Sequence, residues 1–104
     1  MMSKVIRDGK VAVLVSPGYG AGWYSWNTEY PEILFDPIVV DAIERKLPIR
    51  EIETYLKDTY PNIHLSGYCD LEIQWIPEGT QFKIDEYDGY ETLMAISNIT
   101  WFTA

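Results

Sequence analysis

The sequence predicts an α+β domain in which a helical hairpin packs on a mainly antiparallel β-sheet. Two Asp-Gly pairs, Asp8-Gly9 and Asp88-Gly89, each lie between short runs of strand-forming residues, which is a strong local signal of a two-residue β-hairpin. Between them, apolar residues recur at helical spacing on either side of Pro48. The predicted order is ββ-αα-ββββ, and 104 residues are enough for a single domain over 1–104 but too few for two.

The first predicted hairpin joins strands over 3–7 and 10–16. The second of these strands contains a run of consecutive apolar residues from Val11 to Val15. A strand that is apolar at every position is covered on both faces. We therefore expect it to lie centrally in the sheet, or to pack one face against a partner chain.

The two helices are predicted near 37–46 and 49–59. Asp36 followed by Pro37 favours a helix start, because the carboxylate caps free N–H groups and proline is tolerated at the first helical position. Pro61 ends the second helix, because its ring disfavours a helical conformation at the preceding residue.

Four strands are predicted after the helices. Apolar and polar side chains alternate over 71–76, as in a half-buried strand. A turn at Pro77-Glu78-Gly79 leads to strands over 82–85 and 90–96, which flank the second Asp-Gly pair. A last short strand is expected over 99–102.

The composition excludes several classes of function. The net charge is −8 at pH 7, so we do not expect binding of duplex nucleic acid by general electrostatic attraction. No apolar run reaches the length of a membrane span, and the polar first residues predict no secretion signal. A single cysteine, Cys69, fits a reducing compartment, so a cytoplasmic location is expected.

The charged residues are unevenly distributed along the chain. Residues 1–28 hold three bases against one acid, whereas residues 70–91 hold seven acids against one base. An anionic ligand would be least repelled near the first segment. Its bases are Lys4, Arg7 and Lys10.

A loop rich in glycine and aromatic residues begins at Ser16-Pro17 and extends to Asn27. It contains Gly18, Tyr19, Gly20, Gly22, Trp23, Tyr24 and Trp26. Glycine lets a backbone approach a ligand closely, aromatic rings stack on planar groups, and consecutive N–H groups can form an anion-binding nest. The loop is either the rim of a pocket for a planar, phosphorylated molecule or a corner whose tryptophans complete a small core.

No cluster of residues predicts catalysis. His64, the only histidine, has no nucleophile motif nearby, and Cys69 lies in no known cysteine signature. Four acids of the last hairpin match no calcium-loop spacing and are expected to form a solvated tip. They are Asp85, Glu86, Asp88 and Glu91. We therefore predict that the protein is not an enzyme and uses no metal and no cofactor.

Three segments resemble a family of small proteins found in tailed-phage genomes. They are KVIRDGKVAVLVSPGYGAGWYSWN (residues 4–27), ILFDP (33–37) and DLEIQWIPEGTQFKIDEYDGYE (70–91). The most specific parts are the SPG-(Y/F)-GAGW motif within residues 16–26 and the segment IDEYDGYE (residues 84–91). The family is similar to phage anti-CBASS proteins, which act as sponges for cyclic dinucleotide signals of bacterial immunity. The resemblance implies a phage anti-defence protein that sequesters a cyclic di- or oligonucleotide such as cGAMP, without hydrolysing it, in the cytoplasm of the infected bacterium.

The chemistry of the loop predicts where such a ligand would bind. Tyr19, Trp23 and Trp26, with Arg7 or Lys10, are expected to line the site. Tyr19 is the expected stacking residue and Trp23 the expected core anchor. A base stacked on an aromatic side chain contributes about 1–3 kcal/mol. The full predicted set is Arg7, Lys10, Ser16, Gly18, Tyr19, Gly20, Gly22, Trp23, Trp26 and Asn27.

Further expectations concern partners. The fully apolar strand and the many aromatic residues predict a homo-oligomer, either a dimer or a tetramer, with symmetric interfaces. One alternative function is that of an acidic phage protein that inhibits a host protein by direct binding or by DNA mimicry through residues 70–91. Such binding would depend strongly on salt. The other alternative is a structural or accessory protein of the virion.

Overall fold

A computed structural model describes residues 4–20 and 22–96, and over these the chain has an α+β fold with two antiparallel sheets. The first sheet has the order β1-β2-β3, and the second consists of β4 and β5. The strands are β1 (Ile6–Arg7), β2 (Lys10–Val15), β3 (Glu72–Pro77), β4 (Gln81–Tyr87) and β5 (Tyr90–Ile96). The helices are α1 (Pro37–Glu44) and α2 (Glu53–Thr59), and short 3-10 turns cover Tyr24–Trp26, Pro31–Leu34, Ile49–Glu51 and Ser66–Asp70.

Both hairpins predicted at Asp-Gly pairs are confirmed. Asp8 and Gly9 have φ angles of 52° and 76°, and Asp88 and Gly89 have φ angles of 51° and 83°. Positive φ at both central residues is the type I′ geometry, whose twist matches that of the flanking strands. The second turn pairs Tyr87 directly with Tyr90.

The central position predicted for β2 is also confirmed. β2 pairs with β1 on one edge and with β3 on the other, and Val11 to Val15 are all buried. On one face, Ala12 and Leu14 join a core with residues of both helices. On the other face, alternate valines pack against the second sheet, near Ile84 and Leu93. The helices and the second sheet thus cover the two apolar faces of this strand within one chain.

The cap of α1 is confirmed and has an additional role. One oxygen of Asp36 accepts hydrogen bonds from the N–H groups of Ile38 (2.9 Å) and Val39 (3.3 Å). The other oxygen accepts the hydroxyl protons of Tyr55 (2.6 Å) and Tyr60 (2.5 Å). Burial, and then Asp36, raise the pKa of Tyr55 to about 12. The buried carboxylate therefore ties the start of α1 to the second helical segment.

Several predicted elements need correction. The single sheet is in fact two, because the chain turns at 77–80, where the N–H of Thr80 donates to the carbonyl of Pro77 (3.1 Å), and β4 then pairs with β5 alone. The helix predicted over 49–59 is a 3-10 turn followed by α2, with Ile52 between them at φ −126° and ψ −5°. The first strand begins at residue 6 instead of 3, and the second ends at 15.

Two expectations stay predictions. The last strand, over 99–102, lies outside the described residues. The packing of the two helices as a hairpin on a sheet also stays a prediction, although residues of both helices belong to one core cluster.

Candidate functional site

The glycine-aromatic loop is organised around a buried carboxylate, that of Glu91, which is only 1% exposed. Its Oε1 accepts the N–H of Ser16 (3.0 Å). Its Oε2 accepts the N–H groups of Trp23 (2.8 Å) and Ser25 (2.8 Å) and the hydroxyl of Ser25 (2.6 Å). We call these four donors the carboxylate nest. Burial of a charged group is costly unless hydrogen bonds replace its water, and the nest provides that replacement.

Local sequence explains why the loop can form this nest. β2 ends at Val15 and Pro17 cannot continue it, so Ser16 lies beyond the paired strand and its N–H donates to the Glu91 side chain. A Cβ atom on Gly22 would overlap the side chain of Ser25, so glycine is required for the close turn. Glu91 reaches the nest because its own N–H donates to the carbonyl of Ser16 (2.8 Å), which fixes β5 beside the end of β2.

Trp23 is the core anchor that the sequence predicted. Its side chain is fully buried, and its Nε1 donates to the carbonyl of Ile33 (2.9 Å). Asn27 is also buried and bridges two loops. Its Nδ2 donates to the carbonyls of Trp23 (2.7 Å) and His64 (3.1 Å), and its Oδ1 accepts the N–H of His64 (2.7 Å). These two residues therefore support the loop from inside.

Three tyrosines form the exposed part of this region, which we call the aromatic tip: Tyr19, Tyr87 and Tyr90. They are 69%, 77% and 37% exposed, respectively. Tyr19 packs on Tyr90 with ring centroids 4.9 Å apart. Tyr87 lies directly opposite Tyr90 in the β4–β5 register, so both side chains project from the same face of the hairpin. The N–H of Gly20 donates to the carbonyl of Asp88 (2.5 Å), which holds the loop against the hairpin turn.

Trp26 lies on the other side of the same hairpin. It is 38% exposed, and its Nε1 donates to Oε2 of Glu86 (3.3 Å). Its ring meets the His64 ring edge-on, with centroids 6.2 Å apart. Glu86 is directly opposite Glu91 in the register, so Trp26 contacts the hairpin face opposite to Tyr87 and Tyr90.

The surroundings of the aromatic tip are acidic. A Cβ atom at Gly18 would overlap the carboxylate of Asp70, so this acid lies directly against the loop. Asp88 is exposed at the hairpin turn itself, whereas Glu86 lies on the opposite face of the hairpin, where it accepts the N–H of Gly89 (2.7 Å). With the nest donors occupied by Glu91, the carboxylates of Asp70 and Asp88 favour a cationic ligand at the tip over an anionic one.

Arg7 and Lys10 lie at the opposite end of β2 from the loop. The strand rises about 3.3 Å per residue, which separates Lys10 from Val15 by about 17 Å. Both bases line an open pocket of ≈ 370 Å³, which we call the basic pocket: Arg7, Asp8, Lys10, Glu44 and Trp75. The predicted aromatic and basic halves of the site therefore do not come together in one chain.

Arg7 already has partners in the basic pocket. Its Nη1 and Nη2 donate to the two oxygens of Glu44 (2.5 and 2.8 Å), and its guanidinium lies 5.2 Å from the centre of the Trp75 ring. Hydrogen bonding to Glu44, and then its charge, raise the pKa of Arg7, and the hydrogen bond from Arg7 lowers the pKa of Glu44. Both side chains are nonetheless partly exposed.

The predicted site residues thus fall into three groups. Ser16, Gly22, Trp23 and Asn27 are buried and build the loop. Gly18, Tyr19, Gly20 and Trp26 lie at or near its surface, and Arg7 and Lys10 lie in the basic pocket. The sequence reasoning did not identify Tyr87, Tyr90 and the role of Glu91. The expectation that Glu91 belongs to a solvated tip is wrong, because this residue is on the inner face of the hairpin.

Comparison with known proteins found no match among protein-family models, curated sequences or solved structures. In the described parts of the chain, no helix is long and apolar enough to cross a membrane. Nor do residues 4–20 and 22–96 contain a group of three or more His, Cys, Asp or Glu side chains placed to hold a metal ion.

Proposed function

We propose that this protein acts by binding, without catalysis, and that its aromatic tip captures a basic segment of a partner protein. The single observation that supports this most is the coincidence of three exposed tyrosines with acidic neighbours at one end of the molecule. The predicted alternative of an acidic protein that inhibits a host protein by direct binding is thereby favoured over an anionic ligand in the loop.

The chemistry of the tip suits arginine or lysine side chains. A cation over a tyrosine ring gains about 0.5–2 kcal/mol, depending on how far it is desolvated. Tyr19 and Tyr90 offer adjoining rings, and the exposed Asp88 lies at the turn between Tyr87 and Tyr90. An acidic surface also accelerates encounter with a basic partner, and this acceleration weakens as salt rises.

The proposal is tested with a labelled peptide of about ten residues that alternates arginine and lysine with serine. We expect Tyr19→Ala to weaken its binding about 2- to 30-fold, as loss of one cation–aromatic contact implies. Ile38→Ala is the matched control, because Ile38 is a half-exposed apolar residue on α1. Equal affinities of wild type and Tyr19→Ala, or wild-type binding that does not respond to salt, would rule out the tip as the binding surface.

A second candidate function is sequestration of a cyclic di- or oligonucleotide, as the phage resemblance implies. The observation that favours it is the basic pocket, where Arg7 and Lys10 adjoin the Trp75 ring. A phosphate would compete with the Glu44 carboxylate for Arg7, and a base would need the face of Trp75 that the guanidinium now covers. The expected cytoplasmic location and the expected dimer or tetramer are part of this second proposal. In a homo-oligomer, a partner chain would add residues to the basic pocket.

A thermal-shift screen against cyclic dinucleotides separates the two candidates. A ligand at about 100 times its Kd stabilises the native state by about 2.7 kcal/mol. If a nucleotide binds in the basic pocket, Lys10→Ala should abolish the shift and Tyr19→Ala should leave it unchanged. The reverse pattern would indicate that the nucleotide binds at the glycine-aromatic loop. No shift with any nucleotide would remove this candidate.

A further inference from the structure

We propose that the carboxylate nest is a binding site for a small free carboxylate, acetate or formate, which the wild-type chain keeps filled with its own Glu91. This site is distinct from the aromatic tip and from the basic pocket, and its ligand is of the opposite charge to the tip's proposed partner. The sequence predicts an anion-binding nest of consecutive N–H groups in the glycine-rich turn, whereas the donors found here come from Ser16, Trp23 and Ser25, which are not consecutive.

Two of the four donors of the nest lie in elements that have supports other than the Glu91 side chain. The N–H of Ser16 belongs to the residue that ends β2, in the centre of the first sheet. The N–H of Trp23 is held by a side chain that is fully buried and bonded to the Ile33 carbonyl. If the Glu91 side chain is removed, the N–H of Trp23 loses the carboxylate oxygen that accepts it. Unpaired buried N–H groups are unfavourable, so the empty nest should attract an anion.

The geometry selects a carboxylate among small anions. The two oxygens are held differently, with one donor on Oε1 and three on Oε2, and a planar group with two oxygens meets both requirements. Glu91→Ala removes the Cγ methylene and the carboxylate, which together have the heavy atoms of acetate. Chloride offers one acceptor centre in place of two. Sulfate and phosphate are tetrahedral and larger than the space that the lost atoms leave.

Occupation of the nest should also set the conformation of the aromatic tip. Glu91 adjoins Tyr90 in β5, and Tyr19 lies in the loop between Ser16 and Trp23, two of the residues whose N–H groups Glu91 binds. The Glu91 carboxylate therefore joins the loop that carries Tyr19 to β5, the strand that carries Tyr90. Acetate that fills the nest should restore this contact as well as stability.

The experiment compares the melting temperatures of Glu91→Ala, Glu91→Gln, Glu86→Ala and wild type, with acetate replacing chloride at constant ionic strength. We expect Glu91→Ala to melt well below wild type and to regain about half or more of the loss as acetate saturates the nest. Glu91→Gln should not respond, because its amide fills the space. Wild type and Glu86→Ala have no empty nest, so any change in their melting temperatures measures the general effect of acetate on stability.

If Glu91→Ala is unfolded in chloride, the same titration is followed by far-ultraviolet circular dichroism and by tryptophan fluorescence. Recovery of the native signals in acetate or formate, and not in chloride or sulfate, supports the site. The proposal is overturned if Glu91→Ala, folded or unfolded, responds to acetate no more than Glu86→Ala does. None of these measurements involves a basic peptide, so this result and the result for the aromatic tip are independent.

Discussion

The charged side chains near the two ends of β2 are stabilised in different ways. At the Lys10 end, Arg7 and Glu44 form a partly exposed ion pair on the surface of the basic pocket. At the Val15 end, Glu91 is buried, and its carboxylate accepts hydrogen bonds from backbone N–H groups and one hydroxyl. A surface ion pair contributes little and can exchange its partner, whereas removal of one side of a buried charged interaction is strongly destabilising.

The difference indicates where each kind of ligand can bind. The basic pocket can release Arg7 to a phosphate at small cost, because the partly exposed Glu44 carboxylate then returns to water. The loop cannot release Glu91 at small cost, so its donors are part of the folded core. Among the described residues at that end, the loop and the hairpin together present the aromatic tip as an accessible surface, and Asp70 and Asp88 are its neighbours.

Trp23→Ala should have the largest effect on stability. Truncation of a fully buried tryptophan typically costs about 3–5 kcal/mol, and here it also removes the hydrogen bond to the Ile33 carbonyl. Urea denaturation measures the loss, and Tyr19→Ala is the control within the same loop. We expect Tyr19→Ala to change the free energy of unfolding by less than about 0.5 kcal/mol, as for an exposed side chain. Equal losses would mean that the loop has no distinct inside and outside.

Glu91→Gln should have the next largest effect. The amide keeps the shape of the side chain, but it loses the charge and replaces one acceptor oxygen with a donor NH2 that faces N–H groups. We expect a loss of about 1–3 kcal/mol in the free energy of unfolding, since a buried group is left unsatisfied. Glu86→Gln, at the opposing position of the hairpin, should cost clearly less because its side chain is exposed. If the two variants are equally stable, Glu91 is not the residue that joins the loop to the second sheet.

Acid titration should show the smallest effect, at the basic pocket. The pKa of Glu44 is lowered from 4.5 in the folded state by its hydrogen bond from Arg7. The stability contributed by this pair is therefore present above the unfolded pKa of 4.5 and is lost as pH falls through the lowered folded value. Glu44→Gln should remove this small step from the stability profile below pH 4.5 and leave neutral stability nearly unchanged. A large loss at neutral pH would show that the pair is structural, like Glu91.

Local features of the fold could be predicted from the sequence, because their causes are local. Each Asp-Gly pair specifies its own hairpin, and Asp36-Pro37 specifies the start of α1. The division into two sheets could not be predicted in this way. It depends on which strand β4 pairs with after the turn at 77–80, and that choice is made by packing on the valine face of β2.

The candidate site was predicted only in part, for two physical reasons. Proximity in the sequence groups Arg7 and Lys10 with the loop, although an extended strand carries such neighbours about 17 Å apart. The acidic composition of the last hairpin predicts a solvated Glu91, although strand alternation places it on the same face as Leu93, which packs in the buried cluster. This alternation of side chains along the strand was the sequence signal that could have identified Glu91 as buried.

The most direct test of the difference between the two ends is the perturbation of backbone amide resonances in wild-type protein on titration with the arginine-lysine-serine peptide. We predict shifts at Tyr19, Tyr87 and Tyr90, decreasing as salt rises, and no shifts at Arg7 and Lys10. Shifts centred on Arg7 and Lys10, or absent from the three tyrosines, would contradict the assignment of a basic partner to the aromatic tip.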